Sequence, residues 1–209
     1  MEITERQQAI IIGSILGDGS LEQQYRGTRL QLKQAVAKRE YIFWLYHEFA
    51  SLCKSPPKQR KDNAQWYVST RSLRELTEIR QLFYANGTKF IPENMLELLH
   101  DPLSLAIWFM DDGTLDWRVH DHYAFRLSTN CFTQRDHEIL IHVLRQNFGI
   151  QATIQKTTMR GKAYLRIHIG REGRDMFVQL IRPYILECFQ YKLPPNIFNP
   201  SETQPLLAG

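Results

Sequence analysis

The chain has 209 residues, 43% of them hydrophobic and 11% aromatic, with a net charge of +4 at neutral pH and a pI near 9.0. This apolar content suffices for one sizeable core or two small ones and excludes a low-complexity or disordered chain, while the basic excess fits a polyanionic partner without demanding one. The polar start "MEITERQQ" lacks the basic region of a signal peptide, and the apolar run after it is too short to span a bilayer, so no membrane or export role is expected.

Thr4 and Gln7 have capping-box spacing, which predicts a helix over 4–17 leading into "IIGSILGDGSLE", residues 11–22. This helix should stop at Asp18-Gly19, with the glycine taking the left-handed conformation that closes a helix. The negative end of the helix dipole makes that an unfavourable place for an aspartate. Gly13 and Gly17 form a small-residue stripe along which another backbone can approach closely. Strand-like stretches follow at "TRLQLKQA" (28–35), "PPKQRK" (56–61) and "AQWYVSTR" (64–71). The helices predicted around them are "KREYIFWLYHEFASL" (38–52) and "SLRELTEIRQLFYANG" (72–87). Turn residues cluster from Asn94 to Pro102, and the boundary is placed there, giving halves 1–98 and 99–200 and a tail 201–209.

Asp101-Pro102 suits an N-cap and first helical position, so a second capped helix is predicted over 102–112, carrying "LAIWFMDDGTLD", residues 105–116. The two stretches align at Ile15/Phe109, Leu16/Met110, Asp18/Asp112, Gly19/Gly113, Ser20/Thr114, Leu21/Leu115 and Glu22/Asp116. The order of elements then repeats. A strand is read at "HYAFRLSTN" (122–130), a helix at "RDHEILIHVLRQNFG" (135–149), and strands at "ATIQKTT" (152–158) and "AYLRIHIGR" (163–171) joined through "MRGK". A last helix is read at "GRDMFVQLIRPYILECFQ" (173–190). Each half is read as helix, two strands, helix, two strands, helix, with one strand of each first pair picked out in the sequence.

A single Asp-Gly after an apolar run is ordinarily a helix stop. Two in a duplicated unit ask for more. If the helices pair through the glycine stripe, Asp18 and Asp112 meet, and carboxylates that close repel unless one is protonated or a cation lies between them. A hard divalent ion such as Mg²⁺ fits that all-oxygen setting. In "AYLRIHI", Leu165, Ile167 and Ile169 alternate with Tyr164, Arg166 and His168, giving one apolar and one cationic face. Lys58 and Arg60 sit together in their strand, and Arg29, Lys33, Arg71, Lys156, Lys162 and Arg171 add to the basic excess of the strand regions. For any one strand a solvated face explains this equally well. Basic residues interleaved with Gln, Thr, Ser and Tyr on several strands fit phosphate and base-edge contacts better. Cys53, Cys131 and Cys188 are odd in number and far apart, which suggests neither a disulfide framework nor a zinc ribbon and points to a reducing, intracellular setting.

On the motifs "IIGSILGDG" and "LAIWFMDDG", together with "KFIPEN" and "YKLP", the chain resembles the single-chain LAGLIDADG homing endonucleases over nearly its whole length. The resemblance implies an α+β fold of two pseudo-symmetric αββαββα halves, with a packed central helix pair and saddle-shaped antiparallel sheets lying in the DNA major groove. It implies that Asp18 and Asp112 are the essential metal ligands, with Gly17 and the Asp111 backbone carbonyl as further candidate donors and Mg²⁺ as the ion, Mn²⁺ able to substitute. It also places Lys89 and Lys192 beside the cleavage site and Gln31 as a polar active-site residue, with Ser128 as its counterpart. The DNA-binding set is Arg29, Lys33, Lys58, Arg60, Arg71, Tyr164, Arg166 and His168. The second motif has Ile107 and Trp108 where the family name has Gly and Leu, and Asp111 where it has Ala, so a bulkier helix contact is expected. Asp111 is expected to be either a solvated carboxylate or one that supports the metal ligands from behind, since it is rotated about 100° from Asp112 on a helix.

The activity implied is metal-dependent cleavage of both strands of a long, asymmetric DNA duplex by a monomer, as in the homing of an intron or intein. An RNA maturase acting on intron RNA, or a DNA-binding regulator that no longer cuts, stays open as the alternative. An aspartic protease also pairs duplicated aspartates, but it writes Asp-Ser/Thr-Gly in a β context, whereas here glycine precedes Ser20 and Thr114 after capped helices.

Overall fold

A computed structural model describes residues 2–118, 122–159 and 161–195. The predicted tail 201–209 and Arg160 of the "MRGK" connection lie outside the described residues.

Helix α1 (Glu5–Leu16) opens with the expected capping box, the Thr4 hydroxyl accepting from the Gln7 N–H and the Gln7 side chain accepting from the Thr4 N–H. A hairpin of β1 (Ser20–Gln24) and β2 (Gly27–Gln34) leads to α2 (Arg39–Glu48), then β3 (Lys58–Gln59), β4 (Trp66–Ser69) and α3 (Arg74–Phe83). A short hairpin, β5 (Tyr84–Ala85) and β6 (Thr88–Lys89), and α4 (Met95–Leu98) connect to the second unit. That unit comprises α5 (Pro102–Asp112), β7 (Gly113–Arg118), β8 (His122–Leu127), α6 (Gln134–Phe148), β9 (Thr153–Met159), β10 (Lys162–Ile169) and α7 (Arg174–Ile181). The Asp101 side chain caps α5 by accepting from the Leu103 N–H at 2.8 Å. Each half holds one four-stranded antiparallel sheet, ordered β1-β2-β4-β3 and β7-β8-β10-β9.

α1 and α5 pack on each other at the centre, and both are buried nearly all round, as helices with apolar residues on every face must be. The Ser104 hydroxyl donates to the Ala9 carbonyl at 2.8 Å across the pair. A Cβ added to Gly13 would come within 2.5 Å of the Ser104 carbonyl and 2.7 Å of the Ile107 Cβ, and one on Gly17 within 2.5 Å of the Asp111 Cβ. The small-residue stripe is therefore the contact, and the bulk of Ile107 and Asp111 fills the space that Gly13 and Gly17 leave.

Several expectations are corrected. The glycines after the aspartates are not left-handed: Gly113 has φ −83°, and neither it nor Gly19 is among the positive-φ glycines. Gly19 is needed instead for close approach to Ser14. α1 ends at Leu16, so Asp18 lies just beyond the helix rather than on its last turn, whereas α5 continues through Asp112. The first strand of each sheet, "SLEQQ" and "GTLDWR", was not read in the sequence, and "PPKQRK" contributes only Lys58–Gln59. The helix expected over 72–87 stops at Phe83 because Asn86 (φ 50°) and Gly87 (φ 79°) form the two-residue turn of the β5–β6 hairpin. The helix expected over 173–190 stops at Ile181, ahead of Pro183, which has no N–H to continue it, and gives way to 3-10 turns at Arg182–Tyr184 and Glu187–Lys192. No helix among the described residues is long and apolar enough to cross a membrane.

Candidate functional site

The packed helix pair delivers Asp18 and Asp112 to one place. Burial raises the Asp18 carboxyl above the ordinary range, opposed by a hydrogen bond from Gln34 and by the Lys192 and Lys89 ammonium groups. Burial and the Asp18 charge push Asp112 up to about 7, against the pull of Lys89 and Lys192. An exposed Asp18 and a half-buried Asp112, the second raised by the charge of the first, form a site where a cation is favoured.

The lysines close the helix ends. Lys89 Nζ donates to the carbonyls of Ile15 at 2.6 Å, Gly19 at 3.3 Å and Gly17 at 3.4 Å. Lys192 Nζ donates to the carbonyls of Met110 at 2.8 Å and Phe109 at 3.3 Å. Ile15 and Phe109 are aligned positions of the duplicated motif, so the two contacts are equivalent. Each ammonium thus neutralises the negative end of its own half's motif helix, which offsets the cost of the aspartate beside it. Burial lowers Lys89, and burial with the nearby Lys38 charge lowers Lys192 to about 8. The family resemblance singled out both lysines, while the β5–β6 hairpin that places Lys89 is signalled by Asn86-Gly87.

Of the two places expected for Asp111, the structure gives the supporting one: its carboxylate turns across the helix pair, where Oδ2 accepts from the Asp18 N–H at 3.3 Å and Oδ1 accepts from Gln34 Nε2 at 3.1 Å. Burial, followed by the Asp18 charge, raises it well above the carboxylate range. Gln34 was missed in the sequence. It lies three residues beyond Gln31 at the end of β2, and no local pattern sets it apart from its neighbour.

Gln31 lies on the other side of the strand, in a cleft of about 550 Å³ lined also by Lys33, Lys58, Arg60 and Tyr67. Ser128 lines a cleft of about 510 Å³ with Asp112, Thr114, Tyr191 and Lys192, and its N–H donates to the Asp112 carbonyl at 3.0 Å. It is not the counterpart of Gln31. Register pairs Ser20 with Gln31 and the aligned Thr114 with Arg126, so Arg126 holds the equivalent place, where it pairs with Asp116.

Arg126 belongs to a third cleft, of about 520 Å³, lined with Gln155, Arg166, His168 and Arg171. Burial and then the Arg126 charge lower the Arg166 guanidinium, against the pull of Asp116. Tyr164 is half-buried on the same alternating face of β10. Each sheet therefore presents one cationic, hydrogen-bonding hollow. Arg29 pairs with Glu22 at 2.8 Å and Arg60 with Asp62 at 2.8 Å. Arg71 follows β4 outside the lining of either hollow, beside Cys53, and Lys156 pairs in register with Leu165 of the apolar face. Cys53, Cys131 and Cys188 are free thiols.

The donor set suits a hard ion. Among the described residues no group of three or more His, Cys, Asp or Glu side chains is arranged to hold a metal, so an ion at Asp18 and Asp112 would complete its shell from backbone oxygens, water and a ligand phosphate, as Mg²⁺ commonly does. Lys89 would share the Gly17 carbonyl with such an ion.

Residues 8–177 match the sequence profile described as the LAGLIDADG DNA endonuclease family. Over 203 residues the chain is 29% identical to the cytochrome b mRNA maturase bI2 of Saccharomyces cerevisiae, covering 88% of this chain and 46% of that one. It is 26% identical to the DNA endonuclease I-ChuI of Chlamydomonas applanata, covering 92% and 96%. The chain thus spans about half the length of the maturase and nearly all of the endonuclease. Its fold superposes on the homing endonuclease I-WcaI bound to its DNA recognition sequence with a TM-score of 0.80, at 25% identity over 94% of this chain and 89% of that one.

Proposed function

Because this chain belongs to the LAGLIDADG DNA endonuclease family, we propose that it is a site-specific homing endonuclease that cuts both strands of a long, asymmetric DNA duplex by divalent-metal-dependent phosphodiester hydrolysis. The observation that carries the reading is the convergence of Asp18, Asp112, Lys89 and Lys192 at the paired ends of α1 and α5, one acid and one lysine from each half. On this reading halves 1–98 and 99–200 act within a monomer, each reading one half-site through its cationic hollow.

Asp18 and Asp112 would hold Mg²⁺, or Mn²⁺ in its place, and the bound metal would supply an activated water and charge neutralisation at the phosphate. The chain's own groups do the rest. Asp111, itself held by Gln34, fixes the Asp18 main chain, and Lys89 and Lys192 place positive charge beside the scissile groups, where a preorganised cation stabilises developing charge. Arg166, Lys58 and their neighbours grip phosphates and base edges.

The test is cleavage of a plasmid library in Mg²⁺. Asp18→Asn and Asp112→Asn are each expected to abolish double-strand cleavage while specific binding persists, because asparagine keeps the shape and loses the charge that holds the ion. Wild-type linearisation by either variant would overturn the reading. The similarity to a protein named as an mRNA maturase supports a second reading, in which intron RNA is an additional or alternative partner. Splicing assistance without cleavage of any library member would favour it.

A further inference from the structure

Resting on the nuclease reading, we infer that Asp136 and Lys38 are positioning residues, each fixing the active-site lysine carried by the opposite half. The segment after Lys89 runs onto the N-terminus of α6, in the second half. There the Ile91 N–H donates to Asp136 Oδ1 at 2.9 Å, with both residues buried. The other oxygen of Asp136 accepts from the Thr133 N–H at 2.8 Å and the Thr133 hydroxyl at 2.7 Å. The carboxylate is therefore locked within the α6 capping box and cannot swing away from Ile91. Farther along the same segment Arg135 pairs with Glu93, and Asn147 Nδ2 donates to the carbonyls of Leu96 at 2.8 Å and Leu99 at 2.7 Å.

The arrangement recurs with different chemistry. α2 stands in the first half where α6 stands in the second. From its N-terminal end Lys38 Nζ donates to the Cys188 carbonyl at 3.2 Å and the Tyr191 hydroxyl at 3.0 Å, and it lies 3.9 Å from the centre of the Phe189 ring. Tyr41 of α2 meets Phe189 edge-on at 5.0 Å. These contacts hold the turn Glu187–Lys192, which ends in the second lysine. So each lysine closes on the helix end of its own half but is held from behind by the other half. Displacing a catalytic group by about 1 Å can cost up to about 100-fold in rate, so a slack clamp should register as lost cleavage at one strand.

The experiment combines single-turnover cleavage of a duplex labelled on both strands with mass-spectrometric readout of lysine acylation in the DNA-free protein. Lys89→Met and Lys192→Met identify which strand each lysine serves. Asp136→Ala is expected to slow the Lys89 strand by about 10- to 100-fold with unchanged Kd for DNA, and Lys38→Met to slow the Lys192 strand alike. Acylation of Lys89 should rise several-fold in Asp136→Ala alone, and that of Lys192 in Lys38→Met alone, each corrected for its fraction of neutral amine, which loss of the Lys38 charge lowers at Lys192. Asp136→Asn, which keeps an oxygen for Ile91, should restore the strand balance. Thr133→Ala, which weakens the cap but leaves the Ile91 bond, should lower Tm without strand bias or new Lys89 labelling. Equal slowing of both strands in proportion to lost stability, or unchanged lysine labelling, would overturn the inference. Selective labelling changes in a protein that cuts no DNA would uphold the positioning and defeat the nuclease reading. Strand bias in the lysine variants with none in the clamp variants would do the reverse.

Discussion

Burial and the Asp18 charge hold Asp112 at about 7, well above the usual carboxylate range. A folded-state pKa raised in this way stabilises the protein below pH about 4, and that contribution is lost as the pH rises through about 7. Asp112→Asn should therefore be no less stable than the wild type at low pH and more stable by about 1–3 kcal/mol above pH 7, the gap opening between the two limits. Urea denaturation of both proteins at several pH values checks this, and a gap that closes with rising pH would contradict it. For the same reason divalent ions should bind the DNA-free protein more tightly as the pH rises towards 7, approaching tenfold per unit for one displaced proton, measurable by calorimetry. Asp18 and Asp112 were legible in the sequence because the chain writes their motif twice, and Lys89 and Lys192 through the family resemblance of "KFIPEN" and "YKLP". Gln34 and the inward turn of Asp111 were not, since both depend on what the opposing half places across the helix pair.

At the scale of elements, capping located α1 and α5 and periodicity located α6 to within a residue or two, because the Thr4 box and Asp101-Pro102 are local chemistry. β1 and β7 escaped because "SLEQQ" and "GTLDWR" carry too little alternation to be seen without the partner strands that hold them. Gly19 and Gly113 were assigned a conformational role when their role is spatial, against Ser14 and Phe109, whereas the Gly13 and Gly17 stripe was read as the close contact it is. Gly13→Ala tests this: its methyl group would press on the Ser104 carbonyl and the Ile107 side chain, and overpacking of this kind costs about 1–3 kcal/mol. For a chain of this size the expected loss of Tm is about 2–4 °C per kcal/mol, checked by scanning calorimetry.

At the scale of the molecule, the two cationic hollows should make DNA affinity strongly dependent on salt. Each lysine or arginine that displaces a phosphate counterion contributes about 0.9 to the slope of log K against log salt. Lys58→Ala and Arg166→Ala should each flatten that slope by about this amount in fluorescence-anisotropy titrations, and Asp18→Asn should leave it unchanged. A flat slope in the wild type would remove the sheet faces from the binding surface. The helix pair also bears on how such a chain could arise and be re-engineered. Gly13 faces Ile107 and Gly17 faces Asp111, so the first unit supplies hollows and the second supplies what fills them. A homodimer of the first unit would set glycine against glycine and leave the Asp18 N–H without the acceptor it now has. A homodimer of the second would drive two isoleucines and two carboxylates into the same seam. The ancestral symmetry has been spent, and the duplicated units have become lock and key within one polypeptide.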